Sequence, residues 1–337
     1  MNAYFLSNKW PELAVLAVLC ALPAWGETFM LDLAARIIVF SILAVSLELL
    51  VGTTGLVSLG HAAFFGIGAY AGWALSLHQA SNVLLVLVGS AAAAGLYALI
   101  SGALALRTKG VYFIMVTLAF AQMAYFVFHD TTLGGGSDGV YLPRRPGLSI
   151  GEWTIVDADS PINLYWLGLV MLVLVYALLT LVLRSPFGHA LQGIRVNEQR
   201  MRAAGFSTYG YKLTAFALAA AIAGVAGSLL ALREGFVNPE VLSWHLSGQV
   251  LVMIVLGGLG SLRGAVLGAS VFVVLQELLR YEPIFGPLAQ SWQLMLAALI
   301  ILCVAFMPKG LIGAFARRAA KPAAAQPALD TVKEVRT

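Results

Sequence analysis

Polar side chains are so scarce in the apolar stretches of this chain that each one needs a reason. Ser58 and His61 lie in GTTGLVSLGHAAFFGIGAYAGW, residues 52–73, which also carries six glycines. A hydroxyl and an imidazole are costly to leave in hydrocarbon, so they either bond a facing helix or line a wet path through the membrane. Two acids, Glu48 and Glu277, also fall within apolar segments, each near a segment end. Buried carboxylates are what a proton- or sodium-coupled carrier needs, so they keep ion coupling open as a chemistry. Covalent and phosphate chemistry find no support. The chain has no GxxxxGK[ST] loop, no HExxH or CxxC spacing and no nucleophile elbow. No catalytic residue, metal ligand or cofactor-binding residue is therefore assigned, and the expected activity is transport rather than catalysis.

The elements that must position these residues follow from composition. Hydrophobic residues make up 60% and charged residues 11% of the chain, against a charged share of about a quarter in soluble globular domains. Residues 49–106 contain no Asp, Glu, Lys or Arg, and further uncharged runs cover 110–128, 162–183, 213–232, 241–262 and 291–307. Such runs suit helices crossing about 30 Å of hydrocarbon, and they lack the alternating polarity of a transmembrane barrel. Cys20 and Cys303 lie inside apolar runs, as lipid-facing or core thiols rather than a disulfide pair.

Basic residues gather at 107–109, 184–212 and 309–336. The positive-inside rule puts these segments in the cytoplasm, with both termini inside and residues 129–161 as an external loop, Arg144 and Arg145 being its exceptions. Parity requires a first transmembrane helix at 13–25 within an N-terminal region, 1–30. It also requires that 250–279 form two short legs hinged at GGLGSLRGA, residues 257–265. The fold class expected is an all-α polytopic membrane protein of about ten transmembrane or half-spanning helices. Its transmembrane core runs over 31–312, and an Ala- and Pro-rich tail, 313–337, is expected to be disordered.

The hinge shares Gly-Leu-x-Ser-Leu with the opening stretch: GLVSLGHA from Gly55 against GLGSLRGA from Gly258. Glycine-interrupted apolar segments in both halves point to an internal repeat with the pathway at its interface. The pathway candidates are Ser58, Gly60, His61, Ser261 and Gly264, with Phe64, Phe65 and Phe113 as aromatic lining. Helix packing is the competing account of the glycines and the aromatics. In the external loop, Ser137 and Asp138 follow three glycines, either as a plain turn or as backbone N–H groups presented to a docked partner or an entering zwitterion.

The most informative polar stretch is RSPFGHALQGIRVNEQRMRAAGFSTYGYK, residues 184–212. Pro186 starts a short amphipathic helix with Leu191, Ile194 and Met201 on one face, and Gly205 stops it. Such a helix either rests on anionic lipid or docks a cytoplasmic partner, inserting its apolar residues into a groove while Arg195, Glu198 and Arg202 bond at the rim.

Together, GLVSLGHAAFFGIGAY, GVYFIMVTLAFAQ, GGSDGV, SPFGHALQGIRVNEQRMRAAGFSTYGYKL and VLGGLGSLRGAVLGA resemble, in order from about residue 30 to 312, the permease subunit of bacterial branched-chain amino acid ABC importers. The resemblance implies a multi-pass protein of the bacterial inner membrane that translocates branched-chain, hydrophobic amino acids. ATP would be hydrolysed on two separate ATP-binding subunits, which accounts for the missing phosphate loop. The other implied partners are a second homologous permease, a periplasmic solute-binding protein and membrane lipid, with no nucleic acid. The coupling helix would lie in 184–212, matched by Arg195, Glu198, Arg202, Ala203, Ala204 and Gly205. Relatives with similar motifs carry urea, short amides or aromatic acids, and an ion-coupled secondary transporter acting alone is the alternative of a different class.

Overall fold

The computed structural model describes residues 19–20, 23, 28–77, 82–143, 145–150, 153–156, 160–307 and 310–313. The expected first helix at 13–25 falls almost wholly outside these residues, as do Arg144 and the tail beyond 313.

Helix α1, Thr28–Glu48, carries Asp32, Arg36 and Glu48, and the uncharged runs that follow become α2 His61–Ser76, α3 Val83–Ala105, α4 Val111–Asp130 and α5 Pro161–Arg184. The basic segment forms α6 Pro186–Val196 and α7 Glu198–Ala203, followed by α8 Thr208–Glu234, α9 Trp244–Gly257, α10 Leu262–Arg280, α11 Glu282–Phe285 and α12 Trp292–Phe306. Seven helical segments among the described residues are long and apolar enough to cross a membrane, while α2, with 16 residues, and α9, with 14, are shorter. An all-α polytopic membrane fold results. Helices α9 and α10 flank the expected hinge and are separated by non-helical backbone, but α10, with 19 residues, is one of the seven long helices rather than a short leg.

Helix ends follow local chemistry. Asn82 caps α3 by accepting the Leu84 N–H at 3.1 Å, Pro161 starts α5 where its missing N–H costs nothing, and α8 stops on Gly235 at φ 66°. Helices α1 and α8 form the centre of the bundle. Every residue from Ile38 to Thr54 is buried, and α8 is buried along most of its length, so the middle of each helix is largely apolar on all faces while the charges lie near the ends. Close approach comes from small residues. A Cβ on Gly68 would overlap Gly224 of α8, one on Gly227 would overlap the Phe65 carbonyl, and one on Gly72 would meet Ser228 Cβ at 3.0 Å. With no hydrophobic drive between helices in lipid, such contacts supply packing that larger side chains would prevent.

The two ends of the bundle differ. At the end away from the basic segment, Arg233 of α8 bridges Asp32 of α1 at 2.6 Å, and Arg36 of α1 faces Glu277 of α10 at 3.8 Å. Glu277 is thus a paired acid. Short strands there escaped the sequence reading: Val140–Tyr141 pairs antiparallel with Phe236–Val237, and Leu148–Ile150 with Trp153–Val156. Arg145 donates to the Arg233 carbonyl at 3.1 Å, tying the loop to the end of α8.

Candidate coupling and translocation site

The first break follows α1. The chain passes through a π-helical turn, Leu49–Thr54, whose six residues are all buried, and leaves it at Gly55 with φ 74°. Ser58 Oγ accepts the Gly60 N–H at 3.2 Å, so this hydroxyl closes a tight turn before α2 begins. Gly60 has no room for a side chain, since a Cβ there would run into the Thr117 carbonyl of α4. His61 opens α2 and bonds back to α1, with Nε2 2.8 Å from Ser46 Oγ. Ser46 gives its proton to the Leu43 carbonyl at 2.7 Å, so its oxygen receives an Nε2–H. His61 Nδ1 has no hydrogen-bond partner among the described residues. On the far side, the Ala62 N–H donates to Ser247 of α9 at 2.8 Å.

The second break is built the same way with a different core. Gly258 has φ 114° and Gly260 φ 92°. Ser261 caps α10 by accepting the Gly264 N–H at 3.1 Å and donates to the Gly258 carbonyl at 3.3 Å. Around it the backbones touch. A Cβ on Gly257 would overlap the Gly264 carbonyl, one on Gly264 would come within 2.5 Å of the Gly258 carbonyl, and one on Gly268 would overlap the Met253 carbonyl. Glu48 joins the two breaks: its Oε1 accepts the Gly260 N–H at 2.5 Å.

Phe64, Phe65 and Phe113 are buried in the core of this chain. The Phe64 ring meets His61, Phe216 and Tyr97 edge-on at 5.8, 5.3 and 6.0 Å, and Phe113 meets Phe216 at 6.2 Å. Beside them lies a cavity of about 10 Å³ lined by Gly60, Phe64, Tyr97, Thr117 and Phe216, the room of one water. In this conformation these aromatics pack on one another rather than around a space that holds an amino acid side chain.

The basic segment reads as two short helices rather than one. Ser185 caps α6 by accepting the Gly188 N–H at 3.4 Å, with Pro186 in the first turn. Asn197, at φ −156° and ψ 97°, breaks the run and caps α7 by accepting the Arg200 N–H at 2.9 Å. Gly205 at φ 88° ends it: its N–H reaches the Arg202 carbonyl and the Phe206 N–H the Met201 carbonyl, each at 3.0 Å. That pair of bonds is the Schellman arrangement.

The outward face of this segment needs correction. Leu191 and Ile194 are fully buried against the chain's own bundle, where an amphipathic helix at a bundle's edge naturally turns its apolar stripe. Met201, half-buried, folds back over Gly193. None of the three forms a free apolar face for a partner groove. Glu198 does not wait for a partner either. It bonds Arg202 at 2.6 Å, Lys212 at 2.7 Å and the Thr208 hydroxyl at 3.1 Å. Burial alone would raise its pKa, but the hydrogen bond and charge of Lys212, with Thr208 and Arg202, outweigh it and hold the carboxyl down at about 2. The knot pins α7 to the start of α8. What faces out is Val196, 79% exposed, with Arg200, Arg202, Ala203, Ala204, Gly205 and Phe206. Arg195 is exposed too, but its guanidinium reaches back and donates to the Gly52 carbonyl in the π turn.

Ser137 and Asp138 occupy a single 3-10 turn at the far end of α4, with Ser137 Oγ donating to Asp138 Oδ1 at 3.2 Å. Gly135, Gly136 and Gly139 around them all have positive φ. Both side chains are exposed and distant in sequence from either break.

Sequence reasoning missed Asn197, Ser46 and Gly52. An Asn followed by an acid in the first helical turn was the available signal for Asn197. Ser46 and Gly52 carry no local mark; only their neighbours in space give them roles.

Known proteins resemble this chain along most of its length. Residues 29–305 match the family described as branched-chain amino acid transport system, permease component. The high-affinity branched-chain amino acid transport system permease protein LivM of Salmonella typhimurium is 33% identical over 321 residues, covering 89% of this chain and 74% of that protein. LivM of Escherichia coli is 33% identical over 320 residues, covering 89% and 73%. The permease protein LivH of Escherichia coli is 24% identical over 289 residues, covering 81% of this chain and 91% of LivH.

Proposed function

We propose a role from one premise: this chain belongs to the family of branched-chain amino acid transport system permease components. It serves as one of two homologous permease subunits of an ABC importer for branched-chain, hydrophobic amino acids in a bacterial inner membrane. Two ATP-binding subunits and a periplasmic solute-binding protein complete the machine. The observation that carries this reading is the family match across nearly all of the helical bundle. The presence in Escherichia coli of two different permease proteins, LivM and LivH, both similar to this chain, supports the paired arrangement.

Within that machine, residues 184–212 are the coupling segment. Their support is an exposed ridge, Val196 to Phe206, on a base fixed to the bundle by Leu191, Ile194 and the Glu198 knot. Arg202, Ala203, Ala204 and Gly205 are the docking residues, while Arg195 and Glu198 hold the base. Ser58, Gly60, His61, Ser261 and Gly264 shape the two breaks beside the pathway, and Ser137 and Asp138 meet the binding protein. We keep a count of about ten crossing or half-crossing helices: seven long spans and the two short helices α2 and α9 are among the described residues, and the expected first helix lies outside them. The Gly-Leu-x-Ser-Leu likeness of the breaks supports an internal repeat. Against a self-contained ion-coupled carrier stands the use of its candidate acids: Glu48 accepts a backbone N–H and Glu277 faces an arginine.

The test is reconstitution with the two ATPases, the second permease and the binding protein. ATP-dependent uptake of leucine, isoleucine or valine is expected. Uptake of urea, an amide or an aromatic acid in their place would reassign the cargo, and ion-driven uptake by this chain alone would overturn the reading.

A further inference from the structure

Glu48 is a carboxylate with 2% of its surface exposed, at the junction of α1 and the π turn. Its Oε1 takes the Gly260 N–H at 2.5 Å, a donor that the second break leaves without a helical partner. Its Oε2 has no hydrogen-bond partner among the described residues. A side chain at Gly52 would overlap this carboxylate, so that glycine is what lets the acid fold back. The Gly52 carbonyl receives the Arg195 guanidinium from α6. The Arg195 stem lies along Gly55, its Cγ 3.3 Å from where a Cβ would stand. An unbroken path therefore runs from the basic segment through the first break to the second. Glu48 Oε2, at the head of the same turn, is a second acceptor that Arg195 does not hold here.

We propose that Glu48 and Arg195 are positioning residues of the transport cycle, through which displacement of the coupling segment moves both glycine breaks together. This rests on the reading of residues 184–212 as the coupling segment. When the ATPases shift α6, Arg195 pulls on the π turn. Glu48 sits on that turn, so the Gly258–Ser261 backbone follows, and α9 and α10 re-aim as one unit with α1 and α2. Neither residue touches the cargo.

The test uses the assembled transporter in proteoliposomes and reads amino acid moved per ATP hydrolysed. Arg195→Ala and Glu48→Ala should each lower that ratio roughly five- to tenfold. The double variant should be no worse than the poorer single one, since both cut the same path. Glu48→Gln, whose amide oxygen still accepts the Gly260 N–H, should keep at least half of the ratio, which a loss of fold would not allow. An unchanged ratio in Arg195→Ala with the ATPases still bound overturns the proposal, as does a double variant that loses the product of the two single effects. Should Glu48→Ala fail to reach the membrane, Arg195→Ala alone decides. Loss of the ATPases from Arg195→Ala would make Arg195 a docking residue and overturn the relay while sustaining the coupling reading. ATPases that never co-purify with the unaltered chain would overturn that reading instead.

Discussion

The two glycine-led breaks share five letters of sequence and a way of turning, yet they are held by different forces. Each begins on a positive-φ glycine, Gly55 at 74° or Gly258 at 114°, and each uses the serine three residues on to bind a backbone N–H, Ser58 that of Gly60 ahead of α2 and Ser261 that of Gly264 in the first turn of α10. Beyond that the likeness stops. The first break enters through a π turn and is fastened by side chains: His61 to Ser46, Glu48 to Gly260, Arg195 to Gly52. The second is fastened by backbone contact among Gly257, Gly264 and Gly268, with Gly310 against Gly258. A serine in such a sequence is therefore first a turn-maker, with at least one of its hydrogen-bonding positions taken by the turn.

The largest effect should come from filling the second break. Gly264→Leu must push aside the backbone of Gly258, and overpacking of this kind costs about 1–3 kcal/mol or more where no flexible atom can yield. Uptake should vanish while the protein still inserts in the membrane; normal uptake would show that these backbones do not need to touch. Next in size are Gly55→Ala and Gly258→Ala, each forcing an L residue into a left-handed conformation at a cost of about 1–2 kcal/mol. Thermal stability in detergent should fall in both. A loss at one position only would mean that the breaks are not built alike. Ser261→Ala should cost about 1 kcal/mol as a lost helix cap. Ser58→Ala should cost less, since its bond closes a turn rather than a helix end; equal losses would erase that distinction.

The smallest effect is a predicted absence. Neither break relies on the charge knot of the coupling segment, where Glu198 is held down at about 2 from its ordinary 4.5. A depressed carboxyl stabilises above its unfolded pKa and loses that stabilisation as pH falls through the folded one. The fixing of α7 on α8 should thus be unchanged between about pH 5 and about pH 8 and weaken only from about pH 4.5 downward. Proteolysis of residues 198–207 across pH reads this directly. Glu198→Gln should raise cleavage at neutral pH without altering either break.

The sequence made the spans legible because hydrocarbon tolerates few charges, so the ends of α4, α5, α8 and α12 lie close to those of the uncharged runs. Pro186 and Gly205 were readable because each has one backbone job. Direction was not readable. The stripe of Leu191, Ile194 and Met201 looks the same whether it faces a partner or its own chain; the bundle took Leu191 and Ile194, and Met201 lies over Gly193. Glu48 reads as an ion-coupling candidate in sequence because its acceptor role depends on Gly260, far along the chain and visible only once α9 and α10 fold back beside α1. The π turn leaves no mark beyond Gly52, whose missing side chain makes room for that acid.

The central claim, that residues 184–212 carry ATPase motion into the bundle, is tested most directly at Val196, the most exposed apolar residue of the segment's ridge. A cysteine placed there by Val196→Cys and fitted with a short photo-crosslinker should join this chain to an ATP-binding subunit in the assembled transporter, with a yield that changes when ATP is bound and hydrolysed. Crosslinks to lipid alone, at a yield indifferent to nucleotide, would contradict it.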